Sequence, residues 1–443
     1  MPRLFAAPRL AQYSSYPEAG CRLAARRSKA QTVTDTREGE LDILKRNVWI
    51  AVQMILIVML VAACGVGGAP APSSPSAEPS SQPSATPADT AESSTPVGES
   101  PAADDNRFAY GFNVYARGDT DGADFNQTTI QMVKDAGFTW VRIPIHWSDV
   151  ERAKDQWDPL PLDRIVEQYG GSGVKILATV SKEPDWARDP SGQQLLTNFQ
   201  DFAGFMHFLA QRYQGKIHAY EIWNEENLTS NMGGAVRIED YGRLLEAGYQ
   251  GAKQADPNIT IVFGGLTPTG VNDPAIAMDD LQYLQEFYNY SGGAYTKYFD
   301  VLGIHVSSTR NHPDKMYPED PGTGGWTDHP SFYFRRGEQL HQVMVEHGDT
   351  RPVWITEFGW TTNNGAPGYE YGALNTEQDQ ADYLVAAYEI ARTTWPWTTG
   401  MFVWNLNYSV VSPPEDEKFP WSVLNADWSA RLAYDKLKAM PKS

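Results

Sequence analysis

Cysteine is nearly missing from this chain of 443 residues: Cys21 and Cys64 are the whole complement, and both precede the stretch that reads as globular. That excludes a disulfide framework, a thiol nucleophile and a cysteine-based zinc site from the folded part. The eight histidines show no H-E-x-x-H or comparable ligand spacing, so a metal-free, cofactor-free chemistry is expected. Excess positive charge is lacking too. A formal net charge of -19 supplies no basic footprint for nucleic acid or anionic lipid. No glycine-rich phosphate loop follows the first strand-like run, which disfavours a doubly wound nucleotide-binding sheet.

What is present falls into three parts. Residues 48–63, "VWIAVQMILIVMLVAA", form an apolar run behind Lys45 and Arg46. At about 16 residues it is short of the roughly 20 needed to span a bilayer and suits the core of a signal segment. The "VAAC" ending resembles a bacterial lipobox, which implies that Cys64 is lipidated and that the protein is extracytoplasmic and membrane-tethered; a plain anchor helix is the alternative. Residues 1–44 are longer than a signal needs, and an over-long start is expected there. From 64 to 106 the chain is Ser, Pro, Ala, Thr and Glu, which cannot bury enough apolar surface to order itself and reads as a spacer.

Residues 107–443 alternate short β-branched runs with helical patterns. Strands are predicted at 108–114, 139–145, 173–180, 217–223, 259–264, 299–305, 352–357 and 400–405. Helices are predicted at 127–136, 162–169, 197–213, 238–254, 278–290, 331–346, 376–393 and 430–438. This count and spacing predict a (β/α)8 barrel that folds as one unit and is expected to be monomeric, with an open doubly wound sheet as the alternative. In a barrel, chemistry sits at the C-terminal strand ends. Two runs end in glutamate: the fourth continues "EIWNEEN", placing Glu225 just past its end, and the seventh, "VWITEFGW", ends on Glu357. Two carboxylates facing one gap form the minimal machine for cleaving a glycosidic bond, one protonated and one ionised.

At these residues the chain resembles the clan of retaining β-glycosidases on (β/α)8 barrels, including the cellulase-like family 5 and the β-xylosidase-like family 39. The resemblance implies that Glu225 is the general acid/base and that Asn224 bonds the sugar 2-hydroxyl. It makes Glu357 the nucleophile, with Arg142 of "VRIPIHWSDVE" beneath it holding it ionised. Trp404 would be the aromatic platform under the sugar. Structural readings stand beside these: Arg142 paired with any buried carboxylate, Trp404 as core packing. His305 is as readily a packed strand-end residue as a ligand contact, because "GIHVSS" places Ser307 where many relatives carry a tyrosine. Glu226 reads as a loop residue bonding backbone or sugar, and Trp223 as packing around the pair. The loop at 306–331, with His312, Tyr317 and Trp326, and Trp421 after the eighth strand are candidate subsite builders. A carbohydrate is the expected partner. A non-catalytic carbohydrate-binding barrel and a metal-dependent hydrolase are the competing classes.

Overall fold

The computed structural model describes residues 108–319 and 329–442. Eight parallel strands make one sheet: β1 (Ala109–Asn113), β2 (Trp140–His146), β3 (Lys175–Ser181), β4 (Ala219–Ile222), β5 (Thr260–Phe263), β6 (Leu302–His305), β7 (Val353–Phe358) and β8 (Thr398–Val403). They hydrogen-bond in the order β5-β4-β3-β2-β1-β8-β7-β6. The seam between β5 and β6 is closed by parallel bridges pairing Val262 with Val301 and Leu266 with Ile304. The result is the predicted (β/α)8 barrel. Every predicted strand is found, with ends shifted by a few residues.

The outer ring comprises α1 (Ala123–Asp135), α2 (Leu160–Gly170), α3 (Phe199–Arg212), α4 (Ile238–Ala255), α5 (Asp280–Asn289), α6 (Arg336–Glu346), α7 (Glu377–Thr394) and α8 (Leu432–Ala439). Their starts follow local chemistry. Asn198 caps α3 by accepting from the Gln200 amide, Asp279 caps α5, and Thr376 with Asp379 forms a reciprocal capping box on α7. The predicted helix at 331–346 begins later because residues 330–332 form a separate 3-10 turn. Among the described residues no helix is long and apolar enough to cross a membrane. The expected signal segment and spacer, with Cys64, lie outside the described residues.

Two apolar layers hold the barrel. The larger lies between strands and helices; the smaller fills the floor of the barrel with Leu177, Ala219, Val262, Val301, Trp354 and Phe402, capped by Trp140. Gly111 makes room for this floor, since a Cβ there would sit 2.2 Å from the Phe402 ring. Above the aromatic floor the inward-facing residues turn polar: Asn113, Arg142, Thr179, Glu221, His305 and Glu357, all on strands. Polar groups so placed need partners, and the partners they find define the site.

Candidate active site

Arg142, on β2, is the hub. Its guanidinium donates from Nε to Glu221 Oε2 at 2.6 Å, from Nη1 to Asn113 Oδ1 at 2.9 Å and Glu357 Oε1 at 2.5 Å, and from Nη2 to Asn224 Oδ1 at 2.7 Å. The planar fork of donors suits this task, which a lysine could not perform. Asn113 in turn donates to the carbonyl of Thr356 on β7 at 3.0 Å, so β1, β2, β4 and β7 are pinned together at the mouth. Glu221 also accepts from Thr179 Oγ1 at 2.6 Å and from the Gly265 amide at 3.2 Å. Burial opposes its charge, yet Arg142, His305 and these bonds outweigh burial and hold the carboxyl below the usual range.

The chain leaves β4 through a strained turn. Trp223 and Glu225 both take the left-handed conformation, at φ 72° and 53°, which a bulky side chain adopts rarely. The turn is held by the Glu225 amide donating to Gly265 O at 3.0 Å, by the Trp223 indole donating to Asn231 O at 2.8 Å, and by Asn231 Nδ2 donating to Asn224 O at 3.1 Å. Alternating backbone handedness sends three consecutive side chains in different directions. Asn224 turns to Arg142, Glu225 into the cleft, and Glu226 away from it.

Glu226 does not reach a sugar. It is wholly buried, lies beside Tyr241 and Gly264, and does not line the cleft. Burial pushes its carboxyl well above the ordinary range, which favours the neutral form, and its packed position in the turn keeps it from a sugar in the cleft.

Glu225, His305 and Glu357 converge. His305 Nδ1 lies 3.4 Å from Glu225 Oε1, and Nε2 lies 3.8 Å from Glu357 Oε1. One carboxylate oxygen from each glutamate and a ring nitrogen of His305 all fall within 4.8 Å of one another. His305 is therefore both readings at once, a buried strand-end residue and a member of the site. Burial works against its charge, but the two carboxylates overcome this and raise its pKa. The three could offer ligands to a cation, but the guanidinium already bonded to Glu357 is a fixed positive charge facing any second cation. Gly265 makes room for the imidazole, since a Cβ there would lie 2.3 Å from His305 Nε2.

The Glu357 carboxyl is raised in pKa. Burial lifts it, the charges of His305 and Arg142 pull it back, and the neighbouring Glu225 and Glu221 lift it further. Arg142 thus acts in the expected direction on the nucleophile candidate, although burial outweighs it in the free cleft.

A cavity of about 820 Å³ opens over the pair. Loops after β4 and β5 supply Leu228, Thr229, Thr269 and Ile276, and Trp404 after β8 lines it beside Glu225 and Glu357. Trp404 is half-buried and tilts against Tyr408, with ring centroids 5.2 Å apart. The long loop after β6 contributes Ser307, Ser308, Thr309 and Phe332. His312 instead pairs with Asp314, and Tyr317 is 41% exposed, and neither lines the cavity; Trp326 lies outside the described residues. Tyr369 and Tyr371, from the loop after β7, and Glu417 and Trp421, after β8, complete the wall.

The barrel has counterparts among known proteins. Residues 108–400 match the model of the cellulase family, glycosyl hydrolase family 5. The chain belongs to that family. No curated protein matches it. Among solved structures, the family 5 barrel is similar to a family 39 glycoside hydrolase from the gut symbiont Bacteroides cellulosilyticus WH2, with TM-score 0.55 and 22% identity over 76% of this chain and 64% of that one. A family 39 enzyme from Xanthomonas axonopodis pv. citri gives TM-score 0.52 at 14% identity, over 75% and 66%. A psychrophilic family 10 endo-β-1,4-xylanase gives 0.51 at 14%, over 76% and 98%. At such identities the likeness shows the fold alone. This chain spans just under two-thirds of the length of those family 39 structures.

Proposed function

We propose that the protein is a retaining β-glycoside hydrolase acting on a poly- or oligosaccharide by double displacement. The observation that carries this reading is the approach of Glu225 and Glu357, whose nearest oxygens lie within 4.8 Å. Retaining enzymes hold their carboxyl groups about 5–5.5 Å apart, whereas inverting ones leave roughly 6.5–9.5 Å for a water. The Glu357 oxygen attacks the anomeric carbon, while protonated Glu225 gives its proton to the departing glycosidic oxygen. A glycosyl ester and a free alcohol result. Glu225, now a carboxylate, takes a proton from the water that attacks the same carbon, and Glu357 leaves as the anion.

Arg142 supports the anionic states of Glu357, and its bond to Asn224 Oδ1 leaves the Asn224 amide N–H groups to meet a sugar hydroxyl. Trp404 serves as the platform beneath the ring. We further propose that the barrel works as a monomer outside the cytoplasm, tethered through lipidated Cys64, which mass spectrometry of the native N-terminus tests.

Azide rescue tests the roles. Glu225→Ala, assayed on a glycoside with a good leaving group, should regain rate with azide and give the β-glycosyl azide. Glu357→Ala should give the opposite anomer. Exchanged stereochemistries would reverse the assignment.

A further inference from the structure

A third carboxylate stands in the cleft that the double displacement does not use. Glu417, in the loop after β8, lines the same cavity as Glu225 and Glu357; its side chain is 17% exposed and lies 3.1 Å from Lys418 Nζ. The loop that carries it is strapped down. Asn364 Nδ2 donates to the Glu417 carbonyl at 3.0 Å, Asn405 Nδ2 to the Lys418 carbonyl at 3.1 Å, and the Lys418 amide to Asp416 Oδ1 at 2.9 Å. Arg431 holds the far side through the carbonyls of Pro420 and Ser422 at 3.2 and 2.6 Å. A carboxyl group on so fixed a support is pre-organised for a ligand.

Two further observations point to a sugar. Trp421, 4% exposed, belongs to the same wall, and its indole N–H has no hydrogen-bond partner among the described residues. An acceptor and an unsatisfied donor thus stand four positions apart on one fixed loop, in the cavity that Trp404 also lines. The cavity's described lining holds three carboxyl groups against one histidine, with neither lysine nor arginine, and residues 320–328 contain no basic residue either.

Resting on the glycosidase reading above, we propose that Glu417 is a specificity residue. It accepts hydrogen bonds from hydroxyls of the ring seated at Trp404. Its carboxyl group, set beside the catalytic pair, selects uncharged glycones and rejects hexuronides. A hydrogen bond to a charged acceptor is worth on the order of 10- to 100-fold in kcat/KM.

The test uses the full chain and p-nitrophenyl β-glycosides of glucose, xylose and mannose, the 3-, 4- and 6-deoxy analogues of whichever is cleaved fastest, and the β-glucuronide. Wild type should lose about 10- to 100-fold on one deoxy analogue. Glu417→Ala should lose a similar factor on the parent and nothing more on that analogue. Glu417→Gln, which keeps the shape, should recover part of the parent rate and narrow the gap to the glucuronide. Losses that simply multiply across every deoxy analogue would overturn the proposal, because a packing defect behaves that way. Undiminished discrimination against the glucuronide in the Gln variant would overturn it as well. Failure of the wild type to cleave any neutral glycoside would instead strike the glycosidase reading itself.

Discussion

Arg142→Met removes the cation at the centre of the mouth while keeping much of the apolar stem. Arg142 is 5% exposed and satisfies four oxygens, two of them on carboxylates that are themselves buried or nearly so. Without it, Glu221 loses the charge that does most to hold it ionised, and Asn113 and Asn224 lose their donor. Removing one partner of a buried ion pair costs about 3–5 kcal/mol, a large share of the roughly 5–15 kcal/mol that holds a typical domain together. Guanidinium unfolding at neutral pH should therefore show a loss of that size. The kinetics should change in a defined direction as well. Arg142 is one of two cations that lower the Glu357 pKa, so its loss raises that pKa further. The nucleophile must be ionised to attack, hence the acid limb of kcat/KM against pH should move to higher pH. Arg142→Lys, which keeps charge but not the fork, should restore most of the acid limb and only part of the stability. A methionine variant of wild-type stability with an unmoved acid limb would refute the reasoning.

Glu417 offers a stability test with a sign. Burial chiefly, with Asp416 and Glu357, pushes its pKa up to about 7 against the opposing Lys418. A raised folded pKa contributes stability below the unfolded value of 4.5 that is lost as pH rises through 7. Glu417→Gln should thus match wild type near pH 4 and exceed it above pH 8 by up to about 3 kcal/mol; an advantage growing toward acid would contradict this. Gly265→Ala should drive a Cβ into His305, lowering kcat strongly while leaving much of the fold, as read by kcat and circular dichroism; a fully active variant would show that His305 has room to move. A chain beginning at Ala103 should unfold in one transition and keep full activity on a soluble glycoside; loss of either would show that the preceding segment belongs to the fold.

The barrel was legible because the strands are short, largely apolar runs between amphipathic helices, a pattern that tolerates end errors of a few residues. Glu225 and Glu357 were legible for a related reason: a carboxylate just past a buried strand is costly unless used. Glu221 escaped notice because a single acid inside "AYEI" reads as ordinary strand alternation, although it faces the barrel interior. The signal was there in an arginine on β2 with charge to spare for a second partner. Glu226 was misread because adjacent acids look alike in sequence, and only the left-handed turn at Trp223 and Glu225 separates one into the cleft and the other into the packing. The loop residues were legible only in part: Trp421 lines the cavity as expected, while His312 and Tyr317 do not. Which of His312, Tyr317, Tyr371, Glu417 and Trp421 reaches the cavity depends on how the loops fold back over the mouth, and aromatic content alone does not encode that.

Proton NMR of the first-formed product from an aryl β-glycoside, recorded before the sugar mutarotates, tests the central claim most directly. Glu225 and Glu357 at their observed separation should release the β-anomer first, with the α-anomer growing in later. An α-anomer appearing first would mean a single displacement by water, and would contradict the double-displacement account.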